Sequence, residues 1–560
     1  MRNRLLYVIL VLIVSLVAFK CGENEMEKQL RNFIDSHVDK VKPLMKEMNE
    51  TYWQATITGN EEDFEKVASL EIELRTIYSD TADFALIRKF KDEEQISSPL
   101  LQRQVEILYS SYLGNQIDPA LMKKIVRKSS EIENKFSVFR GTMSGKKVTD
   151  NDIKKILSEE TDSSVRRAAW FASKQVGGEV ASNIIELVKL RNEAAQHLGF
   201  ENYYVLSLTL TEQKLEDLNQ IFDELAQLTE EPFRQLKFEM DSLLAHQYAI
   251  AIGGLMPWHY HDPFFQEGPQ VYDVNLDKFY QDHDIKELAA TFYNGIDLNV
   301  DDILARSDLY EKEGKNQHAY CTDIDREGDV RILCNLKNNE KWMDTILHEL
   351  GHAVYDKYMD PDLPFLLREP AHSFTTEAVA QLFGRLSRNA NWIQGMTGIS
   401  DEERKEIAGT VFKSMRLQQL IFARWCQVMF RFEQALYQNP DQDLNKLWWD
   451  LVEKYQMIKR PPQRNAPDWA AKIHFTIVPV YYHNYMLGEL LASQMHHYIV
   501  FDILDNESDD AVSYINQTEI GDFLKEEIFS VGAKYEWNEM IKHSTGEYLT
   551  AKYFVQQFVK

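Results

Sequence analysis

Trp342-Met-Asp-Thr-Ile-Leu-His-Glu-Leu-Gly-His-Ala-Val-Tyr-Asp-Lys-Tyr358 is the stretch on which the reading of this chain turns. It reads as a helix enclosing His348-Glu349-Leu350-Gly351-His352, an H-E-x-x-H motif. Positions four apart on a helix lie on one face, so both imidazoles can point at a single metal ion. The glutamate between them is placed to act on an attacking water. Catalytic zinc takes three protein ligands and keeps a fourth position open. Glu377 is the candidate third ligand: it lies twenty-five residues after His352, in a second helical segment beginning near Thr375. A short connection to an antiparallel neighbour would bring its carboxylate to the histidines. The plainer alternative is a solvated helix with two incidental histidines and a surface glutamate.

Outward from this pair, the chain reads as helical almost throughout. Glycine (23) and proline (15) are scarce for 560 residues, against average usages of about 7% and 5%. Both residues break helices, so their scarcity favours a mainly α protein. From Met26 to Gly253, segments such as Phe33–Trp53, Glu62–Ile77, Leu100–Tyr112 and Ile184–His197 place apolar residues at three- and four-residue steps. The pattern breaks between Gly253 and Asn339. Leu255-Met-Pro-Trp-His-Tyr-His-Asp-Pro263 is irregular, and Ala319–Asp325 with Asp329–Leu336 read as a hairpin around Arg326-Glu-Gly328. Helices resume at Lys341. No linker divides the chain, so we expect one large helical body of two lobes, with a small antiparallel sheet near the motif helix.

The net charge of −26 excludes nucleic acid as a partner, since that binding needs lysine and arginine to neutralise phosphates. Arg2 and Arg4 precede an apolar run, Leu5 to Phe19, followed by Lys20 and Cys21. The run is short for a spanning helix but suits an export signal. Residues 1–21 are expected to be that signal, and residues 22–560 the functional domain. Lipid attachment at Cys21, an uncleaved membrane anchor and plain secretion are the open outcomes, and all place the protein outside the cytoplasm, in the periplasm or cell envelope. Cys321, Cys334 and Cys426 are too few for a disulfide framework. Cys321 and Cys334 are either paired or free.

Several stretches resemble the angiotensin-converting enzyme family of gluzincin-type zinc dipeptidyl carboxypeptidases. They are Leu363-Pro364, Leu367-Arg368-Glu369 and Phe374-Thr-Thr-Glu377-Ala378, then Pro461-Pro462, Ala471-Lys472-Ile473-His474 and Val478-Pro479 with Tyr482 and Tyr485. Leu190-Arg-Asn-Glu-Ala-Ala195, Trp448-Trp449 and Lys454-Tyr455-Gln456 are fainter echoes. The resemblance implies an almost wholly helical fold with a deep central cleft and one zinc ion on His348, His352 and Glu377. It implies that Glu349 is general base and acid, and that His474 and Tyr485 donate hydrogen bonds to the oxyanion. Lys472 and Tyr482 would bind the substrate's C-terminal carboxylate, and His318-Ala319 would hold the peptide backbone beside a strand edge.

The departures are specific. Asn484 and Val452 stand where many animal members carry chloride-binding arginines, so chloride activation is not expected. Gln381 replaces the aspartate four positions after the third ligand, and could still accept a hydrogen bond from a ligand histidine. The stretch from His474 to Tyr482 carries one extra residue. The expected activity is release of C-terminal dipeptides from oligopeptides. A broader oligoendopeptidase resembling the thimet oligopeptidase group, and a non-catalytic peptide-binding lipoprotein, are the alternatives.

Overall fold

The computed structural model describes residues 24–92, 96–272, 274–509 and 512–559. The fold is mainly α, 69% helical with two small antiparallel sheets. Residues 1–21, read from the sequence as an export signal, lie outside the described residues. Among those described, no helix is long and apolar enough to cross a membrane.

Six helices frame the candidate site: α1 (Glu25–Thr58), α2 (Ser163–His197), α3 (Glu340–Lys357), α4 (Ser373–Gly384), α5 (Asp401–Gln438) and α6 (His483–Tyr498). The four periodic segments read from the N-terminal half all fall within helices. The motif helix α3 starts because Asn339 caps it, its side-chain oxygen accepting the Trp342 N–H at 2.9 Å. Met343, Ile346, Leu347, Leu350, Ala353 and Val354 form its buried face. Each large apolar side chain among them contributes about 1.5–3 kcal/mol relative to exposure. His372 caps α4 through Nδ1, which accepts the Phe374 N–H at 3.1 Å.

Among the described residues, two hairpins interrupt the helices. β1 (Gly141–Met143) and β2 (Lys146–Val148) pair within the half read as helical throughout. Their turn residues Ser144 and Gly145 both have positive φ, at 52° and 79°, the geometry that joins two strands tightly. β3 (Tyr320–Asp323) and β4 (Val330–Leu333) form the expected hairpin, in register from Tyr320 opposite Leu333 to Asp323 opposite Val330. Both strands are shorter than the sequence suggested, for identifiable reasons. The Asp323 carboxylate accepts the Asp325 and Arg326 N–H groups and turns the chain. Beyond Leu333, the Cys334 and Leu336 amides bond instead to the carbonyls of Asp308 and Leu309.

One large apolar core runs through the molecule, and a second joins Leu30, Ile34, Leu101 and Leu108 to Phe365 and Leu366. The N-terminal helices thus rest on the connection between α3 and α4. Cys321 and Cys334 are free thiols, as is Cys426.

Candidate metal centre and active site

Helices α3 and α4 pack closely because Gly351 lacks a side chain: a Cβ there would sit 2.7 Å from the Ala380 Cα. This contact brings Glu377 over the histidines. His348 Nε2 and His352 Nε2 lie 3.2 Å apart, and the Glu377 carboxylate oxygens lie 3.6 Å and 3.5 Å from them. Donors bound tetrahedrally at ~2.0–2.2 Å to zinc stand about 3.3–3.6 Å from one another. The donor set and its spacing therefore fit one zinc ion. These three are also the one group of potential metal ligands among the described residues.

The surroundings of His348 and Glu377 favour their ligating forms, neutral imidazole and carboxylate. Burial pushes His348 down to about 4, so it is neutral at physiological pH. Burial alone would raise Glu377, but the two histidines hold it below the usual carboxylate range. Burial opposes protonation of His352, yet the Glu377 carboxylate raises it overall. His352 Nδ1 lies 2.8 Å from Thr376 Oγ1, a contact that orients the ring and leaves Nε2 for a metal. Gln381 does not accept from a histidine; its amide N–H points at Glu377 Oε1, 3.5 Å away. Its own carbonyl oxygen is buried without a partner.

Glu349 is buried beside the ligands, and burial, Glu377 and Asp344 push it up to about 7 against the opposing effect of His352. It lines a cavity of about 600 Å³ together with His348, His352, Ala319, Tyr320 and Cys321. Ala319 immediately precedes β3 on this cavity wall. His318 is exposed, and its backbone N–H bonds the Asn316 side chain.

The remaining residues form a connected group. The His474 ring lies 5.1 Å from that of Tyr482, and Tyr482 lies 5.2 Å from Tyr485. Tyr485 is 5.4 Å from Tyr481, whose hydroxyl reaches Ser373 on the cavity wall at 3.4 Å. Burial raises both Tyr481 and Tyr485, and the Glu377 charge adds to each. Burial, reinforced by Lys472, pushes His474 down to about 4, and its Nδ1 is buried without a partner.

Lys472 lies behind this group, in an aromatic cage. Its ammonium is 5.6, 5.3 and 5.2 Å from the rings of Phe264, Trp425 and Tyr482, and donates to Gln266 Oε1 at 2.5 Å. Burial lowers it to about 8 despite the nearby Asp262, Cys426 and Glu267. The Asp262 carboxylate accepts the Phe264 and Gln266 N–H groups, and so shapes the loop that presents both side chains. The sequence reading missed Gln266, Thr376, Tyr481 and Trp425. Thr376 and Tyr481 carried local signals, as the immediate neighbours of Glu377 and Tyr482.

The model of "Peptidase family M3" matches residues 156–560, which contain every residue of the site. The model named "Angiotensin-converting enzyme" matches residues 24–259. The chain is similar to an inactive angiotensin-converting enzyme-related protein of Caenorhabditis elegans, at 21% identity over 59% of this chain and 40% of that protein. It is similar to thermostable carboxypeptidase 1 of Pyrococcus furiosus, at 24% identity over 41% of this chain and 49% of that protein. Angiotensin-converting enzyme of Theromyzon tessulatum is 20% identical over 72% of this chain and 70% of its own length. The chain therefore spans less than half of the first two relatives. The resemblance to the angiotensin-converting enzyme family holds.

Proposed function

We propose that this chain, a member of peptidase family M3, is a zinc peptidase that hydrolyses oligopeptides near their C-termini and releases dipeptides. The observation that carries this reading is the pairing of two sites: the donor triangle with Glu349, and the buried Lys472–Gln266–Tyr482 group one ring beyond Tyr485.

His348, His352 and Glu377 would hold the zinc ion, which when bound supplies Lewis-acid polarisation of the scissile carbonyl. Glu349 takes the proton of the attacking water and passes it to the leaving amine. Tyr485 and neutral His474 donate hydrogen bonds to the carbonyl oxygen as it gains charge; such donors are worth ~2.7–4 kcal/mol each. The edge of β3 from Ala319 to Cys321 aligns an extended substrate backbone. Lys472 supplies the cation that an acidic protein needs for a carboxylate. Tyr482 accepts from Trp425 Nε1 at 2.8 Å, which leaves its own hydroxyl hydrogen to donate to the same carboxylate.

Charge-assisted hydrogen bonds are worth ~1.5–3 kcal/mol, a factor of about 10–100. A free peptide is therefore expected to be cleaved that much faster than its C-terminally amidated twin, and Lys472→Met is expected to erase the difference. Mass spectrometry of the products checks both. Equal internal cleavage of the two twins would move the protein to the oligoendopeptidase reading. Relatives in Pyrococcus furiosus and Bacillus subtilis are named carboxypeptidases, and release of single amino acids would align this chain with those names.

Chloride indifference belongs to the same reading. Asn484 is buried and accepts a hydrogen bond from Gln213 Nε2 at 2.7 Å, and Gln213 Oε1 lies 2.8 Å from His483 Nε2. The neutral amides satisfy each other and leave no charge for an anion. Val452 borders a cavity of about 20 Å³, where Lys174 already has the Asp468 carboxylate for company. Activity is expected to stay constant between chloride-free and chloride-saturated buffers of equal ionic strength; a clear rise with chloride would overturn this. Under the same proposal residues 1–21 direct export, which N-terminal analysis of the mature protein would test.

A further inference from the structure

Leu190-Arg-Asn, one of the fainter echoes in the sequence, has no part in the chemistry above, yet its arginine reaches the segment that carries His474 and the tyrosines. Arg191, on α2 and 5% exposed, donates from Nη1 to the Phe475 carbonyl at 2.9 Å and from Nη2 to the Thr476 carbonyl at 2.6 Å. The same Nη1 also donates to the Tyr437 hydroxyl, at 3.1 Å. At the far end of the same segment, the Val480 N–H donates to Glu433 Oε1 at 2.8 Å. Glu433, on α5, is 3% exposed. Burial raises it to about 7, while the Val480 N–H and Arg191 favour its charged form.

Val480 is the residue that needs holding. Its φ is +55°, a left-handed conformation that a β-branched side chain adopts only where its surroundings impose it. The segment from His474 to Tyr482 is also where this chain carries its extra residue.

We propose that Arg191 and Glu433 are positioning residues that clamp the two ends of Phe475–Val480, and so fix His474 and Tyr485 against the developing oxyanion. The proposal rests on the peptidase reading above. Neither residue touches substrate. Arg191 acts through two carbonyls one and two residues beyond His474, and Glu433 through an amide two residues before Tyr482. Misplacing catalytic groups by about 1 Å can lower a rate ~100-fold.

Three variants test it: Glu433→Gln, which keeps an oxygen acceptor for the Val480 N–H; Glu433→Met, which removes it at similar volume; and Arg191→Lys, which keeps the charge but not the two-carbonyl fork. Glu433→Met and Arg191→Lys are expected to lower kcat ~10–100-fold, with KM and zinc content held. Affinity for a phosphinic peptide that mimics the tetrahedral state should fall by the same factor. Glu433→Gln should stay near wild type. Hydrogen exchange at the amides of Val480–Tyr482 should quicken in Glu433→Met and be spared in Glu433→Gln.

Wild-type kcat in a folded, zinc-loaded Glu433→Met or Arg191→Lys protein would overturn the proposal. Equal losses in Glu433→Gln and Glu433→Met, with exchange quickened throughout the molecule, would also overturn it and leave only a structural role. Should Glu433→Met fail to fold, Arg191→Lys carries the same reading. Absence of cleavage by the wild type would sink the peptidase reading instead, while the exchange pattern would still report on the clamp.

Discussion

Glu349→Gln is expected to lower kcat by ~10²–10⁴, leave KM within a few-fold, and leave zinc content unchanged. Glutamine matches glutamate in volume and helix propensity but cannot accept a proton. Glu349 sits one residue beyond His348 on α3, is 7% exposed, and borders the cavity that the metal ligands line. Burial holds its carboxyl near neutrality, where a group can both take and return a proton at working pH. It lies outside the donor triangle of His348, His352 and Glu377. Loss of catalysis and loss of metal are therefore separable. Steady-state kinetics beside metal analysis of the same preparation would decide. Unchanged kcat would reject Glu349 as the base, absence of turnover already in the wild type would favour a peptide-binding role, and loss of zinc would make Glu349 a ligand. The relative from Caenorhabditis elegans that is named inactive makes this the most informative single substitution.

The sequence carried the parts of this site that depend on local periodicity. His348 and His352 fall together because a helix repeats every 3.6 residues, and that helix is capped by an asparagine and buries one regular apolar face. Glu377 was legible for the same reason, once a second helix was recognised nearby. What the sequence did not carry is what tertiary contact decides. Gln266 lies in an irregular stretch whose shape comes from the Asp262 turn and whose purpose appears only when Lys472, from two hundred residues downstream, meets it. The β1–β2 hairpin was hidden because each strand is three residues long, too short for a period of two to register. The ends of β3 and β4 were misplaced because a side chain, Asp323, and a distant loop at Asp308 took over the backbone hydrogen bonds. Arg191 and Glu433 look like ordinary helix-surface charges in sequence, and only the fold turns both inward onto one loop.

Gly351→Ala should abolish tight zinc binding, although the residue donates no ligand. An added Cβ would lie 2.7 Å from the Ala380 Cα, 3.1 Å from its nitrogen and 3.2 Å from the Val379 carbonyl oxygen. Comfortable contacts between such atoms are about 3.5–4.0 Å. All three obstacles are backbone, so no side-chain rotation relieves them and α4 must move away from α3. Glu377 lies on α4 one turn before Ala380, so it is carried with the helix and the donor triangle opens. Overpacking of this kind costs about 1–3 kcal/mol in stability, against an alanine gain of about 1 kcal/mol in a helix interior. Gly409→Ala, within α5 and with nothing within 4 Å of the added carbon, isolates the second term and should raise Tm. Competition with a chelator measures zinc affinity in both variants. The expected pattern is a stabilised Gly409→Ala that binds zinc as the wild type does, beside a Gly351→Ala that folds less stably and loses the metal. A Gly351→Ala protein that kept its zinc affinity and activity would mean that the two helices are not held at the separation their ligands require, and that the triangle is assembled by the metal rather than by the packing of α3 against α4.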